Sequence, residues 1–480
     1  MTARSLPAPL SLPLIADVAE RILLAAASRI RVGHLVIALP DGRRREFGDI
    51  GSEVRGEIRI QDRAAMVRLL IDGETGAGEA YMDGQWTSPD LAALLLLAAM
   101  NRQELSLIGG WWRAPSQALR VVAHRLRRNT VRGARRNIAS HYDLSNDLYR
   151  LFLDESLTYS SAVFASPEQP LEEAQRNKYR RVADLAGVEP GMHVLEIGSG
   201  WGSFAIDLAG ERGARVTTIT ISEEQARLAR ERVAAAGLAD RVTIELRDYR
   251  EVSGEFDAIV SIEMLEAVGH EYFPAFFETC DRVLRRGGRI GLQSITYPDA
   301  AYERQRRGAN WIQKYIFPGG LLPSLAVIER ATHRTSLLVT GVTDIGPHYA
   351  PTLRAWREKF LGNLDSVRAL GFDDRFVRMW EYYLALCEAG FATGIFQDLQ
   401  IGFEKRSGLR GVRPAGSAVG VTGTSWPILL AGGSDGQAEG RSWPQLPLRG
   451  EESPIRGGYS QQRTSAGRRD GTTRPAAGAP

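Results

Sequence analysis

The stretch VLEIGSGWG, Val194 to Gly202, decides how the rest of this 480-residue chain is read. An apolar strand runs straight into Gly198, Gly200 and Gly202, and a helix is expected from about Ser203. Glycines at a strand-to-helix turn permit positive φ and let a ligand approach the backbone closely. Dinucleotide and phosphate sites use such turns too, so the turn alone does not choose a ligand. Here the spacing is G-x-G-x-G rather than G-x-G-x-x-G, and Glu196 stands two residues before the first glycine. That pairing favours S-adenosylmethionine, whose amino acid portion needs polar partners and which has no pyrophosphate to cradle. A nicotinamide cofactor is the weaker alternative.

Outward from this loop, residues 138–406 alternate strand and helix, the sign of a parallel sheet covered on both faces. Strands are expected at His193–Ile197, Arg215–Ile219, Val242–Leu246, Ala258–Ile262 and Ile290–Ile295, with Leu399–Phe403 closing the sheet. A helix over Glu223–Ala236 offers Leu228, Val233 and Ala234 to the core. The second strand ends in TITISEEQ, so Thr220, Ser222 and Gln225 stand where many such folds place a ribose-binding acid. RDYR brings Asp248 and Tyr249 to the end of the third strand, where an adenine would lie. Each of these, taken singly, reads as a cap or turn residue. Their joint position at successive strand ends points to a ligand.

Residues 18–105 read as a small α+β domain. RIRVGHLVIAL (Arg29–Leu39), a turn at Pro40-Asp41-Gly42 and the β-branched run Ile58–Leu70 lead to GEAYMDGQW (Gly78–Trp86). A Leu-rich segment after Pro89 reads as a buried helix. Residues 106–137 form a basic connector with Trp111, Trp112, Arg120, Arg125, Arg127 and Arg128 and no acidic residue after Glu104. An amphipathic, Arg-rich helix suits an anionic lipid surface. A solvated interdomain helix fits the same pattern, and both readings stay open. Residues 407–480, dominated by Gly, Ser, Arg and Pro, bury too little apolar surface to order and are expected to be a disordered tail.

The bulk numbers exclude several classes. With 60 basic and 57 acidic residues the net charge is only +3, which does not call for a polyanionic partner, and no nucleic acid is expected. The two cysteines, Cys280 and Cys387, exclude a disulfide framework or a cysteine-based zinc site, and no metal is expected. Leu91–Met100 is far short of the roughly 20 residues that span a bilayer. A cytoplasmic protein with at most peripheral contact to the inner membrane face is the expectation.

Several further segments now fall into place. HYDLSNDLY (His141–Tyr149), LTYSSAVF (Leu157–Phe164), TISEEQ (Thr220–Gln225), SIEMLEAVG (Ser261–Gly269), KYIFPGGLLPS (Lys314–Ser324), HYAPTLRAW (His348–Trp356) and YYLALCEAGF (Tyr382–Phe391) occur in this order. With VLEIGSGWG they resemble the cyclopropane-fatty-acyl-phospholipid and mycolic acid cyclopropane synthases, and GEAYMDGQW extends the resemblance to about residues 20–406. The resemblance implies a seven-stranded, Rossmann-like class I methyltransferase domain preceded by the small α+β domain. It also implies methyl transfer from S-adenosylmethionine to the cis double bond of phospholipid acyl chains at an anionic membrane, and leaves a homodimer open. By motif match the cofactor should meet Tyr159, Ser160, Glu196, Gly198, Gly200, Trp201, Gly202, Thr220, Ser222, Gln225 and Tyr249. Glu266, Ile295 and Tyr349 match positions that surround a bicarbonate ion in the family, and Cys387 matches a cysteine marked as active-site.

The chemistry asks for little covalent help. Methyl transfer to an alkene leaves a carbocation that aromatic faces can stabilise, for which Tyr159, Tyr315, Phe317 and Tyr349 are candidates. A base must then remove a proton. No nucleophile is needed, so Cys387 is not expected to act covalently. The chain departs from the family around that base: Ser161 replaces a cysteine, and Gln293 and Ala267 replace histidines. Two added carboxylates, Glu155 and Glu263, lie near the same motifs. Two alternatives stay open: bicarbonate is kept on Glu266, Ile295 and Tyr349, or a changed deprotonation yields a methyl- or methylene-branched chain. Glu155 is the favoured substitute base, with Glu263 expected to face away.

Overall fold

The computed structural model describes residues 12–106, 146–308 and 310–406, with short strand segments at 421–423, 429–430 and 441–442. The basic connector lies outside the described residues, as does nearly all of the segment after residue 406.

The N-terminal unit begins with the helix Leu12–Ala27. A four-stranded sheet follows, ordered β2 (Arg44–Gly48), β1 (His34–Ala38), β3 (Arg55–Ile60), β4 (Trp86–Thr87). The β-branched run Ile58–Leu70 is strand only as far as Ile60 and is helical from Ala64. Asp62 ends the strand, its carboxylate accepting the Ala64 N–H at 2.9 Å. The helix Ala64–Met82 breaks at Gly73, whose φ of 57° and ψ of −132° no other residue type adopts readily. The helix Leu91–Met100 is capped by Asp90, which accepts from the Ala93 N–H, and it buries Leu91, Leu94, Leu96 and Leu97. Among the described residues no helix is long and apolar enough to cross a membrane.

The large sheet runs β7 (Val242–Leu246), β6 (Arg215–Thr220), β5 (His193–Ile197), β8 (Phe256–Ile262), β9 (Leu284–Thr296), β11 (Gln397–Lys405), β10 (Leu337–Asp344). Strands β5 to β9 pair in parallel, whereas β11 is antiparallel to both β9 and β10. The run at 399–403 therefore does not close the sheet; β10 lies outside it, and β12 (Val421–Gly423) adds in parallel beyond β10. Burial along β5 is nearly continuous, as a strand covered on both faces requires. The helix Glu223–Ala235 buries Leu228 and Val233 as expected, but Ala234 is exposed and Ala226 and Ala229 take its place.

One core lies on each face of this sheet, and a third joins the N-terminal unit to the helices Gly346–Gly362 and Asp374–Ala392. There the helix Ala64–Met82 passes so close that a Cβ on Gly78 would stand 2.6 Å from the Trp311 ring. The Tyr81 hydroxyl donates to Glu381 at 2.7 Å, and the Tyr315 hydroxyl to Glu79 at 3.0 Å.

Candidate active site

After β5 the chain builds β6 and β7 on one side, then crosses to β8 on the other. Ligands of open α/β sheets bind at such a switch point, outside the carboxyl ends of the strands. A cleft of about 1170 Å³ opens there, lined by Tyr159, Ser160, Glu196, Gly198, Gly200, Trp201, Thr220, Gln225, Asp248 and Tyr249 among others. Gly200 has φ 48°, and a Cβ built on it meets nothing within 4 Å. The space beside this backbone is open to a ligand. Glu196 is buried, and burial pushes its carboxyl up to about 8. Its Oε2 has no protein partner among the described residues, as expected of a group meant to meet a ligand. The Thr220 hydroxyl donates to Gln225 at 2.9 Å, while Asp248 is held by the Arg250 guanidinium at 2.6 Å.

Two expected contacts are corrected. Ser222 is not in the cleft wall; it caps the helix Glu223–Ala235, its hydroxyl accepting the Gln225 N–H at 3.2 Å. Gly202 also lies outside the wall, at φ 87°, where a Cβ would come within 3.1 Å of Ala229. It serves the close approach of two helices.

A second cavity of about 1200 Å³ adjoins the first. Its wall is largely aromatic and aliphatic, with Tyr159, Tyr297, Phe317, Leu321, Tyr349, Leu353, Tyr383, Phe391 and Phe396. Tyr159, Glu263 and Ala267 line both cavities, so whatever fills one meets whatever fills the other across these residues. Tyr315 is absent from this wall and instead docks on Glu79 of the N-terminal unit.

The polar groups of the junction come from the carboxyl ends of β8 and β9 and the start of β11, where Gln293 pairs with Gln400 and Ile295 with Asp398. Glu266 accepts from the Ser294 hydroxyl at 2.9 Å and from the Ile295 N–H. Burial, then the neighbouring Glu263, pushes its carboxyl up to about 8. Glu263 does not face away. It accepts from the Ser161 N–H at 2.8 Å, Gln293 Nε2 at 2.9 Å and the Tyr349 hydroxyl at 2.7 Å. Tyr349 thus bonds to Glu263, on the added carboxylate rather than on Glu266.

Glu155, the favoured substitute base, is corrected as well. It sits exposed in the turn after Asp154 and lines neither cavity. Cys387 lines the apolar cavity, and burial drives its thiol well above the usual range, so it is not a thiolate.

Lys178, Asp398 and Gln400 went unnoticed in the sequence, although all three are fully buried around the junction. Lys178 donates to the Ser160 hydroxyl at 2.6 Å, and burial lowers its ammonium to about 8. A signal existed for two of them: in QDLQIGFEK, Asp398 and Gln400 alternate with Leu399, Ile401 and Phe403, so one polar pair shares a strand face.

The sheet order and the glycine cleft define a class I methyltransferase. The family described as mycolic acid cyclopropane synthetase matches residues 129–401, and the chain belongs to it. It is 47% identical over 339 residues to the tuberculostearic acid methyltransferase UfaA1 of Mycobacterium tuberculosis, covering 68% of this chain and 78% of that one. It is 33% identical over 372 residues to the cyclopropane-fatty-acyl-phospholipid synthase of Escherichia coli K12, covering 76% and 92%. Among solved structures, the mycolic acid cyclopropane synthase CmaA1 complexed with SAH and CTAB superposes with a TM-score of 0.53 at 31% identity, over 56% of this chain and 98% of that one. The protein is an S-adenosylmethionine-dependent methyltransferase.

Proposed function

We propose that the chain transfers a methyl group to the cis double bond of an unsaturated acyl chain of a phospholipid. The observation that carries this reading is the shared wall: an apolar cavity opens onto the cofactor cleft at Tyr159, Glu263 and Ala267. S-adenosylmethionine in the cleft supplies an electrophilic methyl group. Glu196, Gly198, Gly200, Trp201, Thr220, Gln225 and Tyr249 hold it, with Tyr159 and Ser160 closing the site toward the second cavity. The aromatic wall excludes water from the acyl chain and presents π faces to the cation that methylation leaves. Ring Tyr159 is fixed for this task, stacked on Trp356 at 5.2 Å with its hydroxyl 2.8 Å from that of Tyr383. The basic connector brings the chain to an anionic membrane face.

Loss of a proton from the new methyl group closes a cyclopropane ring. Loss of a methyl proton after a hydride shift has moved the cation onto the methyl-bearing carbon leaves a methylene branch instead. The branched product is favoured by one observation: a carboxylate of the chain, Glu263, occupies donors at residues 161, 293 and 349. The relative named as a tuberculostearic acid methyltransferase, at 47% identity, supports the same choice.

Lipids from a host expressing the chain should gain one CH2 per modified acyl chain by mass. Ring and branch are isomers, so proton NMR separates them: =CH2 signals, absent from the cis-alkene substrate, mark the methylene branch and upfield cyclopropyl signals the ring. Unmodified lipids, with the chain expressed and folded, defeat the proposal.

A further inference from the structure

Only Leu157 and Glu263 among the described non-glycine residues have a left-handed backbone, Glu263 at φ 47°. A glutamate seldom adopts this conformation without something to hold it there. What holds it is a set of aimed donors. The Glu263 N–H donates to the Gln293 carbonyl at 2.8 Å, and the carboxylate accepts from three groups on three other segments.

The direction of one of these bonds is dictated from a distance. The Arg181 guanidinium can only donate, and its Nε reaches Gln400 Oε1 at 2.9 Å. Gln400 must then turn its Nε2 to Gln293 Oε1, at 3.0 Å. Gln293 is left presenting its own Nε2 to Glu263 Oε1 at 2.9 Å and to Asp398 Oδ2 at 3.0 Å. Oε1 of Glu263 is therefore engaged by two N–H groups, while Oε2 holds, among the described residues, only the Tyr349 hydroxyl. The residue lines both cavities, and this second oxygen is the less engaged of the two.

We propose that Glu263 is the built-in proton acceptor of the reaction, a carboxylate supplied by the chain in place of a dissolved anion. The chain Arg181–Gln400–Gln293 positions it. The inference rests on the acyl-methylation reading above. In the step, the S–CH3 bond breaks with its electron pair staying on sulfur, and the alkene π pair forms the new C–C bond. The resulting carbocation loses a proton to Glu263 Oε2, and the C–H pair it leaves behind becomes the new C=C or ring bond. The proton exchanges with solvent once product has left. Burial raises the Glu263 carboxyl above its ordinary value, which strengthens it as a proton acceptor, while Lys178 and the three donors oppose that shift; burial raises the carboxyls of Glu266 and Asp398 as well.

The test is turnover in carbonate-depleted buffer, with and without added bicarbonate, for wild type, Glu263→Gln and Glu263→Gly, S-adenosylmethionine binding being followed by calorimetry. Wild type should turn over equally in both buffers. Both variants should bind S-adenosylmethionine yet lose about 100-fold or more in turnover, the usual contribution of a positioned base. Glycine suits the left-handed backbone and vacates the carboxylate's space, so Glu263→Gly alone should recover in part with bicarbonate. Gln400→Leu should lower kcat and leave KM for the lipid unchanged, marking a positioning effect. A wild type that needs bicarbonate, or a Glu263→Gln variant with near wild-type turnover, overturns the inference and leaves the acyl substrate standing. A wild type that methylates no acyl chain in either buffer overturns the substrate reading itself.

Discussion

The Tyr349 hydroxyl donates to Glu263 Oε2 at 2.7 Å while its ring stacks on Phe391, the centroids 4.3 Å apart. One side chain thus ties the apolar wall to the charged junction. Burial and the adjacent carboxylate keep its phenol protonated, so it acts here as a donor. Tyr349→Phe keeps the ring and removes the bond. Steady-state kinetics should show kcat falling about 10- to 100-fold, a hydrogen bond to a charged group being worth about 1.5–3 kcal/mol, with KM for the lipid unchanged. An unchanged kcat removes the hydroxyl from the reaction.

Gly200→Val tests the glycine cleft. No protein atom obstructs a Cβ at this position, so the added side chain projects into the space reserved for ligand. The φ of 48° adds strain of about 1–2 kcal/mol. The variant should fold and bind S-adenosylmethionine at least about tenfold more weakly, equivalent to about 1.4 kcal/mol. Equal binding by calorimetry excludes this turn from the site.

The glycine cleft was legible in the sequence because strand, turn and helix there are local, each set by neighbours in the chain. Five parallel strands were legible for the same reason. The junction was not. Asp398 and Gln400 reach it from an antiparallel strand more than a hundred residues after Gln293, and only their register with β9 shows them together. Lys178 sits in LEEAQRNKYRRVADL, which reads as a solvated helix, yet it lies on the face of Ala174, Gln175 and Val182 and is fully buried. Motif position favours Glu155 over Glu263, and the structure reverses their places. Their separation depends on backbone direction: one stands in an exposed turn, while the other is turned inward by its left-handed φ.

The pH dependence of stability should expose Glu266. Its folded-state carboxyl lies at about 8, above the usual 4.5, because burial and Glu263 disfavour the charge. The folded chain therefore holds a proton that the unfolded chain gives up, and stability falls as pH rises from about 4.5 to 8. Glu266→Gln carries no such proton. Its melting temperature relative to wild type should rise between pH 5 and pH 8, roughly the span of that titration. A constant difference between the two proteins contradicts the assignment.

Cys387 offers a separate check on covalent chemistry. Its thiol lines the apolar cavity and is held neutral by burial. Cys387→Ala should raise KM for the acyl substrate by a few-fold, consistent with a small loss of apolar contact of about 1 kcal/mol, with kcat nearly unchanged. Loss of kcat by a hundredfold or so, the scale of a removed catalytic group, would restore a chemical role.

The last prediction concerns the contact between the two units. Gly78 is where the helix Ala64–Met82 crosses the Trp311 ring, and a Cβ there would meet Trp311 at 2.6 Å and Tyr382 at 2.9 Å. Neither ring can yield easily, since both are fully buried. Gly78→Val should therefore lose stability by about 1–3 kcal/mol through overpacking, read as a lower denaturant midpoint. The effect should reach the substrate. Ile312 and Gln313, next to Trp311 in the chain, line the apolar cavity, and Lys314 and Tyr315 are tied to Glu79 of the same helix. Displacing Trp311 moves that wall but leaves the glycine cleft on the far side of Tyr159 and Glu263 intact. The variant should accordingly bind S-adenosylmethionine as wild type does while KM for the lipid rises. Equal losses in both ligands would mean that the N-terminal unit supports the whole methyltransferase fold rather than the acyl cavity.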